Sequence, residues 1–173
     1  MINTLRIISG IYRGRVIETP GGATHPMGER ERLALFNMIS MYLQDSSVLD
    51  VFAGSGALGI EALSRGAKSV CFVDHNTTAC RTIKQNATAL GLESYEVIKG
   101  DAYQLDDSTK YDVVLADPPY DKYDAKKIAG LNSLVADGGV LVLSHPGEAP
   151  ALPGMKLAKS RQYAGATVSI YMR

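Results

Sequence analysis

The chain has 173 residues, with 18 Lys plus Arg against 18 Asp plus Glu, so its formal net charge is zero. A hydrophobic fraction of 46% and a charged fraction of 21% exclude a disordered, collagenous or coiled-coil chain, and the length suits about one domain. Cys71 and Cys80 lack CxxC spacing, which excludes a disulfide scaffold and a cysteine-rich zinc site, and neutrality at first sight counts against a nucleic-acid partner.

The first residues carry no basic segment followed by a long apolar run, and no apolar stretch is long enough to span a bilayer. A cytoplasmic protein with reduced thiols is expected. The neutral average hides an asymmetry. Residues 1–17 hold Arg6, Arg13 and Arg15 and no acid, whereas residues 33–173 hold 13 bases against 15 acids.

In chain order, Leu5–Ile8 and Arg15–Glu18 read as two short strands around a Gly-containing turn. Pro20-Gly21-Gly22 is a linker signal. Apolar positions at three-to-four spacing predict a helix over Glu29–Leu43. Strands and helices then alternate. Val48–Phe52 reads as strand, and Ala57–Arg65 as a helix stopped by Gly66. Ser69–Val73 is strand, and Asn76–Leu90 a helix stopped by Gly91. Tyr95–Ile98 and Tyr111–Ala116 are strands. Asp124–Leu134 reads as a helix ended by Asp137-Gly138-Gly139, and Val140–Ser144 as strand. Lys156–Arg161 and Thr167–Tyr171 close the chain as two strands with no helix between them. The alternation implies a Rossmann-like α/β fold, mainly parallel, with an antiparallel C-terminal edge. Residues 1–24 are expected to form a β-hairpin appendage on a domain of residues 25–173, in one compact unit.

Gly54-Ser55-Gly56-Ala57-Leu58-Gly59 follows a strand and opens a helix, the setting of a nucleotide-binding glycine loop. Asp74 ends the next strand, where an acid can accept from ribose hydroxyls. These features serve NAD and S-adenosylmethionine equally. Asp50 separates them. A carboxylate beside the loop repels a pyrophosphate but favours the sulfonium and ammonium of S-adenosylmethionine. Asp101, after the third strand of the alternation, is placed to accept from an adenine amino group. The candidate cofactor-binding residues are Asp50, Phe52, Gly54, Gly56, Leu58, Asp74, His75, Asp101 and Ala102. Bland readings compete: Asp50 as a partner for a helix N-terminus, Asp101 as a helix cap.

Asp117-Pro118-Pro119-Tyr120 follows a strand and forms the candidate catalytic loop. An exocyclic amine is a poor nucleophile because its lone pair is delocalised into the base. The Asp117 carboxylate and the Pro118 carbonyl can each accept one of its N–H groups, turning the lone pair toward a methyl donor. Two prolines hold those acceptors in place, and the Tyr120 ring offers a stacking surface. His25, His75 and His145 are scattered and read as turn or surface residues. No metal constellation is visible.

Together these residues resemble the RsmD family of 16S rRNA guanine-N2 methyltransferases. Arg6-Ile7-Ile8-Ser9-Gly10 with Arg13-Gly14-Arg15 is similar to that family's N-terminal hairpin. The run from Asp50 to Ala67, including Glu61-Ala62-Leu63-Ser64-Arg65-Gly66-Ala67, is close to its F-A-G-S-G-A-L-G-x-E-A-L-S-R-G-A string. The family's R-P-T-x-D-R-V-R-E-A-L-F-N segment is altered: His25 replaces the leading Arg and Met27 the Thr, while Pro26, Arg30, Arg32 and Ala34-Leu35-Phe36-Asn37 remain. The resemblance implies transfer of methyl from S-adenosylmethionine to a guanine of 16S rRNA, free or in the small ribosomal subunit. The enzyme would be a metal-free monomer, with Arg6, Arg13, Arg15, Arg30 and Arg32 supplying its RNA-binding face. An amino methyltransferase acting on DNA adenine or protein glutamine, an inactive RNA-binding module and an NAD-dependent oxidoreductase are the competing readings. No residues are left over for a separate DNA target-recognition domain, which favours a partner recognised by shape.

Overall fold

The computed structural model describes residues 3–21, 27–163 and 165–173. His25 and Pro26 of the altered family segment lie outside the described residues.

Thr4–Arg6 (β1) and Val16–Glu18 (β2) pair antiparallel as a hairpin. Glu29–Met38 forms α1, shorter than the periodicity predicts, because Ile39 leaves helical geometry and Ser40–Tyr42 tightens into a 3-10 turn. Ile39 and Leu43 stay buried, so the apolar spacing was real although the helix had ended.

Ser47–Val51 (β3), Ser69–Asp74 (β4), Tyr95–Lys99 (β5) and Tyr111–Ala116 (β6) are parallel, with Ala57–Ser64 (α2) and Thr77–Leu90 (α3) as crossovers. The side chains of Val48, Leu49, Val51 and Val113–Ala116 are almost wholly buried, as continuous apolar runs in a doubly covered parallel sheet require. Both glycine stops hold. Gly66 adopts φ 106°, Ala67 N–H donates to Ala62 C=O, and Gly66 N–H donates to Leu63 C=O. Gly91, at φ 70°, ends α3 in the same way.

Two expectations on the last third are corrected. The helix over Asp124–Leu134 is only Ala125–Ala129 (α4), capped by Asp124 and continued as a 3-10 turn. Asp137-Gly138-Gly139 does not end it, since the strand Val135–His145 (β7) has already begun and carries both glycines. Gly139 lies so close to the Asp112 carbonyl that a Cβ there would meet it at 2.7 Å. Gly139 admits the neighbouring strand and Gly138 takes a left-handed φ of 78°, so the pair serves the strand rather than terminating a helix. Lys156–Tyr163 (β8) and Ala166–Met172 (β9) complete a seven-stranded sheet of order β5-β4-β3-β6-β7-β9-β8, with β9 antiparallel to both neighbours.

The hairpin is not loosely appended. Ile7 and Ile17 are 1% exposed and share one core with Leu35, Phe36, Ile60 and Val168. Its turn is held by α2. Glu61 is fully buried and accepts from the N–H groups of Ile8 and Ser9 at 2.8 and 3.0 Å, and from Arg65 Nε at 2.7 Å. Ser64 Oγ accepts from Tyr12 N–H at 2.9 Å, and the Ser64 carbonyl accepts from Ile11 N–H at 2.8 Å. The Glu-Ala-Leu-Ser-Arg-Gly string is thus the docking platform for the N-terminal segment.

Removing the carboxylate leaves two part-buried N–H groups and a guanidinium without their partner. We expect Glu61→Ala to cost about 3–5 kcal/mol in denaturant unfolding, with faster hydrogen exchange at Ile8 and Ser9.

Candidate active site

The sheet order places the chain reversal between β3 and β6: β3 continues to β4 on one side, and β6 lies on its other side. In open α/β sheets, ligands bind outside the carboxyl ends of the strands at such a reversal. The glycine loop leaves β3 there, and Asp117-Pro118-Pro119-Tyr120 leaves β6 there.

The glycine loop is fixed from several directions. Phe52, Gly54 and Gly56 have φ of 59°, 57° and 79°. A left-handed aromatic residue is strained, and such strain persists only where its surroundings enforce it. Here Ala53 N–H donates to Val73 C=O, Gly54 N–H donates to Asp74 Oδ2 at 2.9 Å, and Asn86 Nδ2 donates to Ser55 C=O at 3.0 Å. The Phe52 ring leans on Tyr103, with centroids 5.3 Å apart. Gly59 seats α2 on β4, where a Cβ would meet Phe72 Cε1 at 2.3 Å.

Asp50 is 1% exposed, and its Oδ2 accepts from Gly59 N–H at 2.9 Å in the first turn of α2. One oxygen therefore does serve the helix N-terminus, the blander of its two roles. Burial pushes its pKa well above the usual carboxylate range, and Asp117 and Asp74 push it further. Asp74 accepts from Gly54 and Asn76 N–H through separate oxygens, and His75 Nδ1 stands 3.6 Å from its Oδ1. Asp101 is exposed and caps the short turn Ala102–Gln104, accepting from Tyr103 N–H at 3.0 Å. Ala102 and the Leu58 side chain are buried in the core.

Asp117 is half-buried, and burial lifts its carboxyl to about 6, opposed by a hydrogen bond from Ser144. Tyr120 Oη also bonds Ser144 Oγ. Ser144 has one proton. If it donates to ionised Asp117, the Tyr120 hydroxyl must donate to Ser144, which orients the ring. Ser144 was not among the sequence candidates. Its one available signal was position, at the carboxyl end of β7 beside the catalytic strand.

The basic residues divide. Arg6, Arg13, Arg15 and Arg30 are exposed. Arg6 Nη1 and Arg15 Nη2 donate to the Gly14 and Ala89 carbonyls. Arg32 must be corrected. It is 2% exposed, and its Nη2 donates to the Arg6 carbonyl at 2.6 Å, so it braces the hairpin and cannot reach a phosphate. His145 is likewise no surface histidine. It is fully buried, with Nε2 2.8 Å from Ser169 Oγ.

Carboxyl groups at three neighbouring strand ends thus lie near a strained glycine loop, close enough for Asp117 and Asp74 to raise the Asp50 pKa. Such a site suits a cationic ligand. This fold and site define the class of S-adenosylmethionine-dependent methyltransferases.

The family described as Conserved hypothetical protein 95 matches residues 5–172. The chain belongs to this family, that of the rRNA methyltransferases RsmD and YlbH. It is 32% identical to YlbH of Bacillus subtilis, covering 98% of this chain and 99% of that one. It is 40% identical to ribosomal RNA small subunit methyltransferase D of Haemophilus influenzae, over 67% of this chain and 64% of that one. The solved structure of yhhF from Escherichia coli superposes with a TM-score of 0.90 at 28% identity, covering 99% and 98% of the two chains.

The raised carboxyl of Asp117 has a stability consequence. Its folded pKa of about 6 exceeds the ordinary 3.8, so the native state holds the proton more tightly. Its contribution is most favourable below about pH 4 and is lost as pH rises through 6. We expect Asp117→Asn to stabilise the protein at pH 7, by up to about 3 kcal/mol, with little gain at pH 4 in urea titrations.

Proposed function

We propose that the protein transfers a methyl group from S-adenosylmethionine to the exocyclic N2 of a guanine in 16S rRNA. The observation that carries this reading is Asp117 after the carboxyl end of β6, at the reversal in the sheet where the glycine loop also leaves, with Tyr120 tethered beside it through Ser144. The small-subunit substrate of the Haemophilus relative supports the choice of RNA.

The cofactor site fits its ligand on this chain's own chemistry. Asp50 and Asp74 set carboxyl groups beside the loop, and a cation bound there favours the ionised form that burial disfavours in Asp50. A Cβ on Gly54 would meet nothing nearer than the Phe52 carbonyl at 3.9 Å, so there is room beside its backbone. Asp74 keeps acceptor capacity for ribose hydroxyls, and Asp101 for an adenine amine. When bound, S-adenosylmethionine supplies an electrophilic methyl group.

Asp117 accepts one N–H of the guanine amine, and the Pro118 carbonyl accepts the other. The lone pair then points at the methyl group instead of into the ring. This is orientation and partial charge stabilisation, not strong-base chemistry. The methylated nitrogen is cationic and loses its proton readily, to Asp117 or to water. Tyr120, 36% exposed with its hydroxyl tethered, stacks on the base. Arg6, Arg13, Arg15 and Arg30 engage phosphates on the hairpin side.

Mapping rRNA methylation by mass spectrometry in cells with and without the gene tests the substrate. A guanine lacking its N2-methyl group in the deleted strain is expected, and exclusive labelling of a protein or of DNA overturns the reading. Asp117→Ala should abolish transfer while cofactor binding persists. Protonated Asp117 is a weaker acceptor for an N–H and no longer attracts a cation. Both turnover and affinity for S-adenosylmethionine should therefore fall below about pH 6, and S-adenosylhomocysteine, without the sulfonium charge, should show a smaller pH dependence in calorimetry.

A further inference from the structure

Strand β8 is exposed along almost its whole length, and residues 156–163 contain Lys156, Lys159 and Arg161 with no acid. Strict strand alternation would put Lys156 and Lys159, three apart, on opposite faces. The ladder prevents this. Leu157 pairs with Tyr171 and Lys159 with Ile170, so Ala158 is an extra residue in a β-bulge. Lys156 pairs with Met172 and Arg161 with Val168. Val168 and Ile170 belong to the core under the hairpin and α1, whereas Tyr171 belongs to the core on the opposite face. Paired residues share a face, so all three basic side chains project on the side of the hairpin and Arg30. Tyr163, two residues beyond Arg161, packs on the hairpin-side core and confirms the parity.

The register also places this row. Ser144 pairs with Val168, and Val168 with Arg161. Strands lie about 4.8 Å apart, so the Arg161 backbone is about 10 Å from that of Ser144, the residue that bonds Tyr120. Among the described residues, none of the three bases forms a salt bridge.

We propose that Lys156, Lys159 and Arg161 form a phosphate-binding rail that carries the RNA strand flanking the target base away from the active site. The proposal rests on the RNA reading above. Charge on an edge strand can also serve only to block sheet extension, and the two roles separate experimentally. The test compares a Lys156→Gln/Lys159→Gln/Arg161→Gln variant with a Lys68→Gln/Arg81→Gln/Lys84→Gln control, whose exposed residues lie toward the β5 edge. Binding of in vitro transcribed 16S rRNA is titrated between 50 and 200 mM salt, with S-adenosylmethionine affinity as the check on folding.

The rail variant should bind RNA about ten- to a hundredfold more weakly at 150 mM salt, with a log K against log salt slope shallower by about two to three. Its KM for RNA should rise while kcat at saturation is kept, and the control should change less than twofold. Equal affinity and slope in both variants overturns the rail. So does self-association of the rail variant with unchanged RNA affinity, which leaves only edge protection. Wild-type protein that binds no RNA overturns the substrate reading itself, and is distinguishable because it fails before any variant is compared.

Discussion

A fully buried carboxylate must be paired, and Glu61 is paired by the backbone of another segment. That requirement ties the N-terminal hairpin to α2, the helix that opens at the glycine loop. Arg32 extends the connection by bonding the Arg6 carbonyl, and its burial is offset by attraction to Glu61. Asn86 adds a third tie. Its side chain accepts from Glu18 N–H and donates to the carbonyls of Glu18 in β2 and Ser55 in the glycine loop. The hairpin, α2, α3 and the cofactor loop are therefore one polar framework. A movement of the hairpin cannot be independent of the glycine loop.

The second organising feature is repulsion. Asp50, Asp74 and Asp117 sit at neighbouring strand ends, and each of the latter two raises the Asp50 pKa. This arrangement lowers the stability of the empty protein and is relieved by a cation. It also explains the neutral total charge. An acidic crevice and a basic hairpin edge cancel in the sum, yet each can act locally, because charges further apart than a Debye length are screened from one another.

Much of this was legible from sequence where local geometry alone decides. Gly54, Gly56, Gly66 and Gly91 each meet a left-handed backbone requirement, and the apolar strands β3 and β6 were readable because burial on both faces leaves few alternatives. What was missed depends on tertiary contacts. Arg32 looked like a surface arginine because its partner, the Arg6 carbonyl, is 26 residues away. Ser144 read only as a strand end and His145 as a turn or surface residue, while their partners lie in the loop after β6 and on β9. Gly138 and Gly139 read as a helix stop although they serve a strand. The Ala158 bulge has no sequence mark at all, and it alone puts Lys156 on the face of Lys159 and Arg161.

The same framework bears on how a small enzyme can choose one base. Recognition by a separate domain would allow binding and catalysis to be adjusted independently. Here the hairpin shares its core with the sheet, and its turn is bonded to the helix that follows the cofactor loop. Phosphate contacts carry no sequence information of their own; they set register and orientation. On the proposed reading such contacts are rigidly joined to the loop of Asp117, and the base that reaches it would be chosen by the three-dimensional path of the RNA across the surface. Selectivity then resides in the folded shape of the partner, and a change at Glu61 or Asn86, distant from the base, should blur it by letting the hairpin shift against Asp117.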